Sequence, residues 1–245
     1  SFIPAGPEPV EIMQVKLTNI SSKKTEFIPF AAIPIYARGV NNIRDHRHVT
    51  SLLQRVILDK YGVIVKPTLV FNEAGHKPNK DYYFILGVDA KGRAPQYIYP
   101  TQEMFCGEAG DLEAPAAVLE NILPDQRLIQ GKEPMGALRF KNVSLKPQGN
   151  VSYIIVMGIT QDAKEIRRLL NKFNSVIKVE AALQETKTFW QKKSTAINIL
   201  SADSDFDNWS RWVNIQPVLR KIFGCSFLPD FDYGKGGRGW RDLWQ

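Results

Sequence analysis

A chain of 245 residues that is 44% hydrophobic, 11% aromatic and 23% charged has enough apolar side chains for one large or two modest domains with a buried core. Its formal charge of +7 comes from lysines and arginines scattered among acids, which reads as a solvated surface and argues against a nucleic-acid-binding stripe. No stretch approaches the roughly 20 apolar residues of a membrane helix, so a helical crossing of the bilayer is excluded.

The opening "SFIPAGPEPVEI" has neither an initiator methionine nor the basic and apolar regions of a signal peptide, so it reads as interior sequence. "EIMQVKLTN" then alternates Met13, Val15 and Leu17 with Gln14, Lys16 and Thr18. That period of two predicts a half-buried strand, with a turn at the Asn, Ser and Lys that follow. "EFIPFAAIPIY", "IVKPTLVFN", "DYYFILGVDA", "ALRFKNVSL" and "VSYIIVMGI" continue the pattern, separated by turn clusters such as "DAKGRAP" and "LKPQGN". The composition is that of antiparallel sheet packed on sheet. Pro29 and Pro34 interrupt one run; lacking a donor N–H, they place that segment at an edge or a bulge.

At Asp162 the period lengthens. Asp162 with Glu165 predicts an N-cap and its reciprocal partner, and Ile166, Leu169, Leu170, Phe173, Val176 and Ile177 recur at helical spacing. A break is expected near Asn174 and Ser175, then a second helix with Leu183 and Trp190 on one face and lysines on the other. "TAINILS" reads as a strand, and "ADSDFD" supplies caps and N-terminal negative charge for a third helix bearing Trp209, Val213, Leu219 and Phe223. Pro217 is expected to kink it.

Few residues carry recognisable chemistry. Arg44, Asp45, His46, Arg47 and His48 crowd "RDHRHV", yet two histidines lack a third ligand at metal-site spacing, and a solvated loop is the simpler reading. His76 falls in a turn composition. Cys106 and Cys225 form no CxxC pair or disulfide framework, which suits a reducing, cytoplasmic compartment. The acids that follow Cys106 disfavour its thiolate. No GxSxG elbow, Walker loop or complete dinucleotide fingerprint occurs, and no metal or cofactor is expected.

The last stretch, "DFDYGKGGRGWRDLWQ", is the exception. Its glycines allow close backbone approach, and its arginines and aspartates offer fixed hydrogen bonds. Sugar hydroxyls pair with such groups, and sugar faces stack on aromatics such as Trp240, Trp244 or Tyr233. A glycine-rich surface loop anchored by its aromatics has the same composition.

The segment "FDNWSRWVNIQPVLRKIFGCSFLPDFDYGKGGRGWRDLWQ" resembles the start of the catalytic barrel in the cellobiose, cellodextrin and chitobiose phosphorylase family. There a "W-L-P-Y-Q" helix leads to a "G-x-G-F-R-D-Q-x-Q" loop. Trp212 and Gln216 match the helix, Ser226 and Phe227 the middle, and Gly239, Trp240, Arg241, Asp242 and Gln245 the loop. Upstream, "EIMQVKLTNIS", "GVNNIRDHRHVTSLL", "SLKPQGNVSYIIVMG" and "VEAALQETKTFWQKK" are similar in layout to the family's first strand, long sandwich excursion, strand pair and linker helix. Pro217 follows the glutamine instead of preceding it, and Leu243 and Trp244 replace a polar pair.

The resemblance implies a mainly β fold with α: a partial antiparallel β-sandwich over 1–161, a helical linker over 162–200, and the first helix of an (α/α)6 barrel over 201–245. It implies reversible phosphorolysis of a β-linked gluco-oligosaccharide to α-glucose 1-phosphate, with inorganic phosphate as co-substrate and no other cofactor. Arg241 and Asp242 would hold the transferred sugar, with Arg238 and Trp240 beside them. The general acid and the phosphate-gripping residues would belong to the remainder of the barrel, so no residue here is assigned as catalytic and the chain alone is expected to be inactive. A homodimer is implied, with neither nucleic acid nor membrane as partner. A non-catalytic carbohydrate-binding or assembly domain, and an anion-binding role, are the other open readings.

Overall fold

The computed structural model describes residues 1–37, 51–70, 77–125 and 129–223. The chain divides into two compact units, Ser1–Ala182 and Leu183–Gln245.

The first unit is built on two antiparallel sheets. The larger has the order β1-β12-β8-β5-β4, from β1 (Val10–Thr18), β12 (Asn150–Thr160), β8 (Tyr82–Asp89), β5 (Gly62–Pro67) and β4 (Gln54–Asp59). The smaller has the order β3-β10-β9, from β3 (Phe30–Pro34), β10 (Pro134–Arg139) and β9 (Tyr97–Thr101). Two short pairs complete the unit: β2 (Thr25–Phe27) with β11 (Val143–Leu145), and β6 (Leu69–Val70) with β7 (Lys77–Pro78). Pro34 lies on β3, an edge strand of the smaller sheet, where its missing donor costs no ladder bond. Pro29 precedes that strand, and its carbonyl accepts from the Phe140 N–H. "EFIPFAAIPIY" is thus two strands in two sheets, β2 and β3, divided at Ile28 and Pro29.

Three apolar layers follow from strand alternation. Val56, Val63, Val65, Ile85 and Ile155 of the larger sheet face Ile98 and Leu138 of the smaller, forming the core between sheets. The opposite face of the larger sheet presents Val10, Ile12, Phe84, Leu86, Ile154 and Val156 to the helices that follow. Strands β8 and β12 are therefore covered on both sides, which is why their sequences read as continuous apolar runs. On the outer side of the smaller sheet, Tyr99, Met135 and Ala137 pack with Phe105, Cys106 and Ala117 of α1 (Gln102–Cys106) and α2 (Ala116–Leu119).

Strand β1 departs from expectation in its face. Val10 and Ile12 are the buried residues, at 3% and 0% exposure, whereas Leu17 is exposed. Met13 does pack into the core between sheets. Strands β4 and β9 had no alternation strong enough to single them out beforehand. The predicted turn after β1 is held by Asn19, whose Nδ2 donates to the Leu145 and Lys23 carbonyls at 3.0 and 2.8 Å.

Helix α3 (Ala163–Lys172) begins where the period changes. The Asp162 carboxylate accepts from the Lys164 N–H at 2.9 Å, satisfying one of the helix's orphan donors. The reciprocal half of the expected capping box is absent. Thr160 Oγ1 takes the Asp162 N–H at 3.2 Å, and Glu165 accepts from Arg168 Nε at 2.6 Å. Ile166, Leu169, Leu170 and Phe173 are all buried against the larger sheet, joined by Val179 of α4 (Val176–Ser194). The first helix of the expected linker thus forms the outer layer of the sandwich. Ile177, assigned beforehand to the same apolar face, is 79% exposed, because the break at Asn174 and Ser175 resets the helical phase.

In the second unit, the later turns of α4 half-bury Leu183 and Trp190 while Lys187, Lys192 and Lys193 face solvent. "TAINILS" is not a strand but an exposed connection, without a neighbouring strand among the described residues to complete its hydrogen bonds. Helix α5 (Ser204–Phe223) follows, with Pro217 inside it.

Candidate functional site

The four residues expected to contact sugar, Arg238, Trp240, Arg241 and Asp242, lie outside the described residues, as do Tyr233, Trp244, Arg44, Asp45, His46, Arg47, His48, His76 and Cys225. The element that precedes the Gly-Arg-Asp stretch in the chain is α5. Its N-terminus is capped by Asp203, whose Oδ1 accepts from the Asp205 and Phe206 N–H groups at 2.9 and 3.1 Å. Asp207 in the first turn accepts from Ser201 N–H and Oγ at 3.0 and 2.8 Å, fixing the connection that enters the helix. The negative charge of both aspartates also opposes the positive end of the helix dipole.

Helix α5 presents unusual apolar surface. Phe206, Trp209 and Trp212 are 43%, 59% and 58% exposed, respectively. Phe206 and Trp209 stack at 5.8 Å between ring centroids. The two residues matched to the family's helix are adjacent on it: Gln216 Nε2 donates to the Trp212 carbonyl at 3.4 Å, and Gln216 Oε1 is buried without a partner among the described residues. The second unit therefore brings Trp212 and Gln216 together, one turn apart.

In the first unit a cleft of about 560 Å³ opens between Ser51 and Leu52, helix α1 with the loop that follows it, and the turn that enters β10. Thr101 ends β9, is 1% exposed, and accepts from the Met104 N–H at 3.3 Å to start α1. The Gln102 N–H donates to the Glu133 carbonyl at 2.9 Å, which ties the helix to β10. Lys132 Nζ donates to Glu103 Oε2 at 2.6 Å in the cleft lining. Gly107 closes α1 at φ +92°, a conformation few other residues adopt, and a Cβ at Gly110 would sit 2.1 Å from the Cys106 carbonyl oxygen. These glycines allow the chain to fold back tightly around the cleft wall.

None of these cleft residues was singled out beforehand. A signal existed: residues 94–125 contain Glu103, Glu108, Asp111, Glu113, Glu120 and Asp125 but no lysine, arginine or histidine, in a chain that is otherwise basic.

Cys106 itself is 3% exposed. Burial, with Asp111 adding to it, pushes its thiol pKa up, which opposes the thiolate needed for nucleophilic chemistry. Among the described residues no group of three or more His, Cys, Asp or Glu side chains could hold a metal ion, and no helix is long and apolar enough to cross a membrane.

No curated protein sequence matches the chain. A family model does: glycosyl hydrolase 94, supersandwich domain, over residues 2–176. That span takes in both sheets and the whole of α3, the elements that share the two cores. It fits the resemblance drawn from the first strand, the excursion and the strand pair. With most of its length matched in this way, and with two antiparallel sheets face to face, the chain belongs to the glycosyl hydrolase 94 family, whose supersandwich domain it carries.

Proposed function

We propose that this chain is part of an inverting glycoside phosphorylase that converts a β-linked gluco-oligosaccharide and inorganic phosphate, reversibly, to α-glucose 1-phosphate. The family match over residues 2–176 supports this reading, and the "GRGWRDLWQ" sequence adds the sugar-holding loop. In the reaction a phosphate oxygen attacks the anomeric carbon from the face opposite the leaving group. The glycosidic C–O bond breaks and a carboxylic acid protonates the departing oxygen. Attack from the opposite face turns a β linkage into an α phosphate. A hydrolase of inverting type needs a second carboxylate to activate water; phosphate is already anionic at neutral pH, so one acid is enough.

In this reading Arg241 and Asp242 hold hydroxyls of the transferred glucosyl unit, Arg238 assists, and Trp240 offers an apolar face to the ring. The general acid and the phosphate ligands come from the rest of the barrel, a homodimer in the cytoplasm is the working form, and the 245 residues alone have no turnover. The experiment is to incubate the complete protein with β-linked gluco-oligosaccharides, with and without phosphate, and read the products by ³¹P and ¹H NMR. Phosphate-dependent appearance of α-glucose 1-phosphate supports the proposal. Release of free glucose at the same rate without phosphate contradicts it. Since the matched model is of the supersandwich domain alone, a carbohydrate-binding or assembly role without catalysis is the second reading. It predicts oligosaccharide binding with no turnover by the complete protein.

A further inference from the structure

The cleft beside α1 is built from residues of the first unit. Its described lining is rich in hydrogen-bond acceptors: the side chains of Glu103, Glu108 and Glu133, with Gln102 between them. Lys132 is the one cation among the described lining residues, and it already donates to Glu103. Beside the cleft lies a recess of about 10 Å³ that shares Ser51, Gln102 and Glu133 with it and is also lined by Gln54. Gln54 is 2% exposed. Its Nε2 donates to the Tyr36 carbonyl at 2.8 Å, which fixes the amide, and its Oε1 is buried with no hydrogen-bond partner among the described residues.

A bare buried acceptor costs about 1–3 kcal/mol, so this oxygen calls for a donor. The recess has room for about one water-sized group, which an ammonium head matches. The charge at the cleft favours a cation: its described lining carries three carboxylates, Glu103, Glu108 and Glu133, against the single lysine, Lys132. The described cleft lining contains no aromatic ring on which a sugar face could stack. We propose that the cleft binds a small aliphatic diamine or polyamine, with one primary ammonium in the recess donating to Gln54 Oε1 and the remainder of the molecule lying against Glu103 and Glu108.

The test is isothermal titration of the complete protein with 1,4-diaminobutane, and with 1,4-butanediol as a neutral molecule of the same length. The diamine binds and the diol does not. Gln54→Met keeps the length of the side chain and removes the acceptor; it weakens diamine binding about tenfold. Glu108→Gln, on an exposed side chain that the fold does not need, weakens it by about two- to fivefold, and decides the matter if Gln54→Met does not fold. No binding of the diamine at about 5 mM, equal binding of the diol, or unchanged affinity in the folded variants would overturn the proposal.

Discussion

Phe173→Ala tests whether α3 is a structural layer of the sandwich. Phe173 is 1% exposed and sits in one cluster with Ile12, Phe84, Ile154 and Leu170, so it bridges the helix and three strands of the larger sheet. Removing a ring enclosed on every side leaves a cavity that a two-sided layer closes poorly, and such changes cost ~3–5 kcal/mol. With urea slopes of about 1–3 kcal/mol/M, the unfolding midpoint falls by at least ~1 M. All five tryptophans, Trp190, Trp209, Trp212, Trp240 and Trp244, lie in the second unit. Tryptophan fluorescence therefore follows the second unit, while hydrogen exchange of peptides from β8 and β12 follows the sandwich. Ile177→Ala is the control, since a 79% exposed side chain changes stability by no more than ~0.5 kcal/mol. A Phe173→Ala loss below ~1 kcal/mol, or equal losses for both variants, would refute the assignment of α3 to the core.

Two further outcomes follow from the same layers. At Gly136 a Cβ would lie 2.6 Å from Ile85 Cβ, a stiff β-branched neighbour on the facing sheet, so Gly136→Ala forces the sheets apart and costs ~1–3 kcal/mol by urea unfolding; a neutral change contradicts the close approach. Glu8 is held below its ordinary 4.5 chiefly by the hydrogen bond from Lys172, with Arg168 adding attraction. The native state therefore gives up this proton more readily than the unfolded chain. The resulting stability is complete above pH 4.5 and disappears as pH falls through the lower native value. Glu8→Gln accordingly makes the acid limb of the stability–pH curve shallower, and an unchanged slope between about pH 5 and 3 counts against the pairing.

Most of the sandwich was legible because burial on a sheet leaves a period of two, and burial on both faces leaves an unbroken apolar run, as in β8 and β12. The prolines located an edge because a missing N–H has one physical meaning in a ladder. Other features depend on contacts that local pattern does not carry. In β1, apolar residues occupy both phases, and the helix layer decided that Val10 and Ile12 are the buried ones. Asp162 and Glu165 have the spacing of a capping box, but Thr160 and Arg168 are better placed competitors. "TAINILS" alternates like a strand, yet a strand needs a partner and the pattern cannot supply one. For the stretch 234–245, glycine with arginine and aspartate suggested a sugar chemistry, and family likeness supplied the substrate that is proposed. The acidic cleft was overlooked because its signal is a missing residue type, spread over 32 positions from 94 to 125.

The central claim is that Asp242 grips a glucosyl unit in a phosphorolytic site. The decisive measurement is the rate of α-glucose 1-phosphate formation by the complete protein carrying Asp242→Asn, with its unfolding midpoint recorded alongside. The account predicts loss of turnover by about 100-fold or more with the midpoint unchanged. Near-normal phosphorolysis in the folded variant would contradict it.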